Sequence, residues 1–197
     1  STKWKRIPNN VSFDYGSEGF YILFSFQFCF DPSETAYFAF SYPFSNEESL
    51  SKSEQMLNKY QYHDSIYMRR EVLYHSIEGR EIELLTLTGR SKMTEKREDY
   101  IEGLFPNGGE RPNVFEKQTI FLTSRVHPGE TPASFVLNGI LNFLCNENND
   151  QAKILRDNFV FKIIPILNPD GVSRGYYRLD TKNQNLNRYY LDPTKKD

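Results

Sequence analysis

Thr119-Ile-Phe-Leu-Thr-Ser-Arg-Val-His-Pro-Gly-Glu130 opens as an apolar run and closes with an imidazole and a carboxylate three residues apart. The apolar part reads as a strand. Pro128 and Gly129 preclude a regular helix and favour a tight loop at the strand end, where His127 and Glu130 can converge on one cation. A catalytic zinc takes three protein ligands and keeps one position for water, so this pair is part of a site. No histidine follows His127. The 197 residues are therefore expected to be a piece of a longer protein, with the rest of the site beyond Asp197.

Downstream, Phe159-Val-Phe-Lys-Ile-Ile-Pro-Ile-Leu167 is apolar too continuously for a one-faced strand and reads as a buried one. It runs into Asn168-Pro-Asp-Gly171, which is strong turn chemistry. Between the two strands, Thr131 can cap a helix that has Pro132 in its first turn. Phe135, Val136, Ile140, Phe143 and Leu144 would form the helix face turned to the sheet. Residues 151–158 suit a second, shorter helix. Strand, helices and strand in succession predict an α/β fold with a mixed sheet covered on both faces. Ligands at the carboxyl end of such a strand lie where an open α/β sheet places its binding crevice.

Arg178 in Gly175-Tyr-Tyr-Arg178, and Asn187-Arg188 in Asn185-Leu-Asn-Arg-Tyr189, add polar groups able to fork around a carboxylate. Taken in this order, the motifs resemble the M14 zinc carboxypeptidases. Within them the wording is most similar to the cytosolic carboxypeptidases, which remove glutamates from tubulin and other acidic proteins, and to the branch associated with the branch-point glutamate. Phe38 to Ser45, Arg70 to Arg80, Leu84 to Thr88 and Leu104 to Pro106 share the likeness, which spans nearly the whole chain.

The resemblance implies roles. His127 and Glu130 would be zinc ligands, Arg178 would stabilise the oxyanion, and Asn187 with Arg188 would hold the substrate's terminal carboxylate. Zn2+ would be the cofactor. The family's third ligand, a later histidine, and its general base, a glutamate near the domain's end, have no counterpart here, so the piece alone is expected to be inactive. Glutamylated tubulin or other acidic tails would be the partners, and the location cytoplasmic, with nuclear or microtubule-associated pools also compatible. A zinc amidohydrolase of small N-acyl amino acids and a non-catalytic tail-binding pseudoenzyme are the alternatives.

Composition sets bounds without naming a function. Hydrophobic residues are 38% and charged residues 25%, enough for a globular core. A net charge of -2 does not favour nucleic acid, and no apolar run is long enough to cross a bilayer. No Gly-x-x-x-x-Gly-Lys-Ser/Thr loop supports nucleotide binding. Cys29 and Cys145 are expected to be reduced core thiols.

Two domains are expected. Residues 1–41 would end a small antiparallel β-sandwich, with aromatic strands at 20–30 and 35–40 joined by Asp31-Pro-Ser-Glu34; residues 42–197 would be the first half of the catalytic domain. Ser45 to Lys59 has the capping serine, early acids and late lysine of an exposed helix. Arg70–His75 and Arg80–Thr88 read as a hairpin around Glu78-Gly79, while 92–97 and 107–112 read as surface loops. His63 and His75 are assigned structural or surface roles. Taken alone, Arg178 and Arg188 could equally be solvated or paired with Asp170 and Asp180.

Overall fold

The computed structural model describes residues 4–28, 31, 33 and 35–191. They fall into two compact units, Ser1–Tyr42 and Pro43–Asp197. In the first, β1 (Ser12–Gly16) pairs antiparallel with β2 (Gly19–Leu23), with Ser12 opposite Leu23 and Gly16 opposite Gly19. This differs from the expected pairing. The run from Phe20 enters a strand, but it folds back on the residues before it, and residues 35–40 are not in a strand. The tight reversal Gly16-Ser-Glu-Gly19, with Gly19 at φ +125°, closes the hairpin locally before the aromatic run can find a later partner. Cys29 lies outside the described residues.

The second unit is built on a four-stranded mixed sheet in the order β3-β4-β8-β7. β3 (Ile66–His75) and β4 (Glu81–Gly89) form the expected hairpin, and β3 extends further back than Arg70. β8 (Phe159–Ile164) runs antiparallel to β4 and parallel to β7 (Gln118–Thr123). The parallel pair is joined by α2 (Pro132–Leu144) and α3 (Asp150–Asn158), the crossover that a parallel connection requires. α1 (Asn46–Tyr60) starts at Ser45, whose hydroxyl accepts the Glu48 amide as an N-cap. No helix among the described residues is long and apolar enough to cross a membrane.

Strand periodicity divides the core in two. Ile66, Met68, Leu85, Leu87, Phe161 and Ile163 pack with Tyr60 of α1 and with Leu137, Leu141 and Leu144 of α2. The opposite face holds Leu84, Phe105 and Ile164, and beside them Tyr67, Phe115 and Val160. Leu85 is wholly buried between β4 and the helices. Leu85→Ala is expected to cost about 3–4 kcal/mol, seen as a lower urea midpoint with an unchanged slope.

Two expectations about surfaces are corrected here. On α2 the buried residues are Ser134, Leu137, Leu141 and Leu144; Phe135, Val136 and Phe143 are exposed and Ile140 only half-buried. A hydrogen bond from the buried Arg125 guanidinium to the Ser134 hydroxyl turns that residue inward and with it the helix. Nor does the Thr131 side chain make a capping bond.

The second correction concerns the charged stretches taken as loops. Met93–Arg97 is a strand, β5, pairing with β6 (Asn113–Phe115), and Arg111 and Pro112 are buried. Arg111 is tolerated inside because Glu71 and Glu98 accept its guanidinium, and Lys162 bonds Glu98 at 2.6 Å. This covers the helix-free face of the sheet, so charge here marks a paired network under a cover.

Candidate metal centre

The two parallel strands deliver their following loops to one place. Past the strand ends the ladder continues irregularly: Ser124 N–H donates to Ile164 O at 3.0 Å, Leu167 N–H to Ser124 O at 2.9 Å, and Asn168 N–H to Arg125 O at 3.2 Å. Asn168-Pro-Asp-Gly171 is the start of a short helix, α4 (Pro169–Ser173), where an open turn was expected. The carboxamide of Asn168 caps it, accepting Gly171 N–H at 3.0 Å, while proline at the first helical position needs no N–H partner.

α4 is fixed from below by Asp170, which is buried. Its carboxylate accepts Ser76 Oγ at 2.6 Å, the Glu78 amide at 3.1 Å and Arg80 Nη1 at 2.8 Å. Asp170 thus anchors α4 to the β3–β4 turn, and Asp180 caps the amides of Lys182 and Gln184. Among the described residues neither acid pairs with Arg178 or Arg188. Burial by itself would raise the Asp170 carboxyl, but the bonds from Ser76, Arg80 and the Glu78 amide outweigh it and hold the pKa below the ordinary value.

A depressed folded-state pKa stabilises the protein at pH above the unfolded carboxylate value, about 3.9, and that stabilisation is lost as pH falls through the folded value. Asp170→Asn is accordingly expected to lower stability at neutral pH and to flatten the acid limb below about pH 4. Urea midpoints measured across that range check it.

His127 is buried and its ring is held at both nitrogens. Nε2 lies 3.1 Å from Asn185 Oδ1, and that same oxygen accepts the Asn187 amide at 3.2 Å, which fixes the carboxamide's orientation. An amide oxygen only accepts, so this contact favours the tautomer with its proton on Nε2. Nδ1 then points 3.0 Å from Glu130 Oε1. An imidazole nitrogen and a carboxylate oxygen so close together form a pair that a cation placed between them could use as two donors.

The donor set fits zinc. Nitrogen and carboxylate oxygen are both zinc ligands, and two donors on one tetrahedral zinc lie about 3.3 Å apart, close to the separation seen here. A proton-donating Nε2 on a fixed acceptor is also the outer contact that orients metal-binding imidazoles. Bound zinc would bring a water whose pKa is lowered toward about 7 and a Lewis acid for a carbonyl oxygen. Among the described residues no group of three His, Cys, Asp or Glu side chains could hold a metal, so the local donors are these two.

Arg178 lies beside this pair, and Asn187 and Arg188 follow the asparagine that holds His127. Arg178 Nη1 is 3.9 Å from Glu130 Oε1, setting a half-exposed fixed cation beside the carboxylate. Asn187 and Arg188 are exposed on a single 3₁₀ turn, Leu186–Arg188, whose N-cap is the same Asn185 that holds His127. His63 is structural, its Nδ1 accepting the Ser65 and Ile66 amides at 3.2 Å.

Asn185 and Arg125 were not foreseen, nor were the close contacts of Gly129 and Gly171. Asn185 stands two residues before Asn187, where a carboxamide opening a turn is a readable signal. Arg125 and the loop glycines announce themselves only in three dimensions. Gly129 donates its amide to Tyr177 O at 2.7 Å, and a β-carbon on it would lie 2.7 Å from that oxygen. A β-carbon on Gly171 would strike the Pro128 ring.

Comparison with known proteins identifies similar chains. Cytosolic carboxypeptidase-like protein 5 of Mus musculus is 44% identical over 201 residues, covering 97% of this chain and 23% of its own. Cytosolic carboxypeptidase 6 of Mus musculus is 37% identical over 196 residues, covering 98% of this chain and 32% of its own. The chain therefore spans a quarter to a third of the length of these relatives. A putative carboxypeptidase A from Shewanella denitrificans superposes with a TM-score of 0.58 at 28% identity, over 77% of this chain and 33% of that one. A metallo-carboxypeptidase from Pseudomonas aeruginosa shares the fold, with a TM-score of 0.59 at 23% identity, over 93% of this chain and 40% of that one. The family profile described as zinc carboxypeptidase, whose members use Zn2+, matches residues 53–193 and includes the whole His127 to Arg188 cluster, so the chain belongs to the M14 zinc carboxypeptidases.

Proposed function

We propose that the protein to which this chain belongs is a zinc metallocarboxypeptidase that removes C-terminal or branch-point glutamates from polyglutamylated proteins such as tubulin. The observation that carries the reading is the 3.0 Å approach of His127 Nδ1 to the Glu130 carboxylate, with Nε2 at 3.1 Å from Asn185 Oδ1. Arg178, beside Glu130, would stabilise the negative charge that develops on the attacked carbonyl. Asn187 and Arg188 would hold the substrate's terminal carboxylate, the guanidinium giving the planar fork that makes such capture directional. The third zinc ligand and the general base are assigned to sequence outside these 197 residues, so the chain alone is expected to be inactive. The choice of glutamate and a cytosolic site of action rest on the relatives named cytosolic carboxypeptidases.

The test is to incubate the full-length protein with a peptide carrying a glutamate branch, one carrying a linear glutamate tail, and N-acylated amino acids, with and without a zinc chelator. Release of glutamate that chelation stops is the expected result. Cleavage confined to the acylated amino acids, or glutamate release that chelation leaves unchanged, contradicts the proposal.

A further inference from the structure

Arg125 is buried, yet among the described residues no carboxylate pairs with it. Its side-chain partners among the described residues are neutral oxygens: Nε and Nη2 both donate to Pro128 O, and Nη1 donates to Ser134 Oγ at 3.0 Å and to Phe44 O at 3.1 Å. Its backbone is at φ +56°, a left-handed conformation that a non-glycine residue adopts at a cost. Burying a cation without a counter-charge is a poor way to gain stability. Two unfavourable choices at one residue, two positions before His127, call for another explanation.

We infer that Arg125 is a positioning residue for the metal centre. One planar guanidinium grips the carbonyl of Pro128, one of the two residues between the ligands, through two N–H groups. Its third contact point ties that carbonyl to the first turn of α2 and to the segment leading into α1. The left-handed turn is what folds the side chain back under its own loop. His127 and Glu130 flank this clamp, so their 3.0 Å separation is set before an ion arrives. Neutral carbonyl partners suit the task, because a carboxylate brought in to balance Arg125 would compete with Glu130 for the zinc. The inference rests on the zinc reading proposed above.

The test uses the full-length protein with Arg125→Met, and Arg125→Lys as a second variant that keeps the charge and loses the fork. Zinc affinity is measured by competition with a chromophoric chelator, amide exchange is followed across residues 126–131, and thermal unfolding is recorded alongside. Both variants are expected to bind zinc about 10–100-fold more weakly, as when other groups that orient ligands are removed. Their loop amides would exchange faster, and added guanidinium would partly restore affinity in Arg125→Met. Unchanged zinc affinity and loop exchange in a variant that folds, even with a lowered melting temperature, would overturn the inference by showing Arg125 to be structural only. If the unsubstituted protein binds no zinc, the functional reading fails instead. Loop exchange then still decides whether Arg125 holds the loop.

Discussion

His127→Ala in the full-length protein is expected to abolish stoichiometric zinc binding and to lower glutamate release by a thousandfold or more, about 4 kcal/mol of transition-state stabilisation. Glu130→Ala is expected to behave alike. The reason is local: the loop after β7 sets these two metal-type donors 3.0 Å apart, and among the described residues no group of three such donors could hold the ion in their place. The folded state is expected to survive Glu130→Ala, because that side chain is half-exposed and makes no core contact. Metal content, rate and melting temperature measured on the same preparations separate loss of the site from loss of the fold. A variant that keeps its zinc and its rate would remove these residues from the chemistry.

Gly129→Ala is expected to damage the site through the backbone. The added β-carbon would lie 2.7 Å from the carbonyl oxygen of Tyr177 and 2.9 Å from its α-carbon, so main chain must move, and no rotamer change can relieve the clash. Overpacking of this kind costs about 1–3 kcal/mol. It also strains the Gly129 to Tyr177 hydrogen bond, which holds the metal loop against the segment carrying Arg178. We therefore expect zinc affinity to fall about 10–100-fold, as for other lost supports of a metal site, together with a lower urea midpoint. Chelator competition and urea titration check the two effects. Stability and affinity both matching the unsubstituted protein would mean that the loops are not docked as described.

How far the sequence reached depended on whether the deciding forces were local. The strands at Gln118–Thr123 and Phe159–Ile164, and the hairpin of Ile66–Gly89, were legible because continuous or alternating apolar residues leave few other ways to bury them. His127 and Glu130 were legible because proline and glycine between them force a loop. The face of α2 was misread because hydrophobicity alone favours Phe135, Val136 and Phe143, whereas the bond from Arg125 to Ser134 rotates the helix the other way. Met93–Arg97 was missed because charge suggests solvent until Glu71, Glu98 and Lys162 are seen around Arg111.

Long-range partners explain the rest. Asn168-Pro-Asp-Gly171 gave its chemistry correctly, but whether it closes an open turn or starts a helix depends on Asp170 finding Ser76 and Arg80 some ninety residues back. Asn185 could have been found as a cap, though its bond to His127 could not, since nothing in the spacing of 58 residues specifies it.

The proposed metal centre depends on which nitrogen of His127 faces the ion. A crystal structure of the zinc-loaded full-length protein, with anomalous scattering to locate the ion, is the direct measurement. The ion is expected on Nδ1 of His127 and the carboxylate of Glu130, with Nε2 still donating to Asn185. Zinc bound through Nε2, or held away from this loop altogether, would contradict the account.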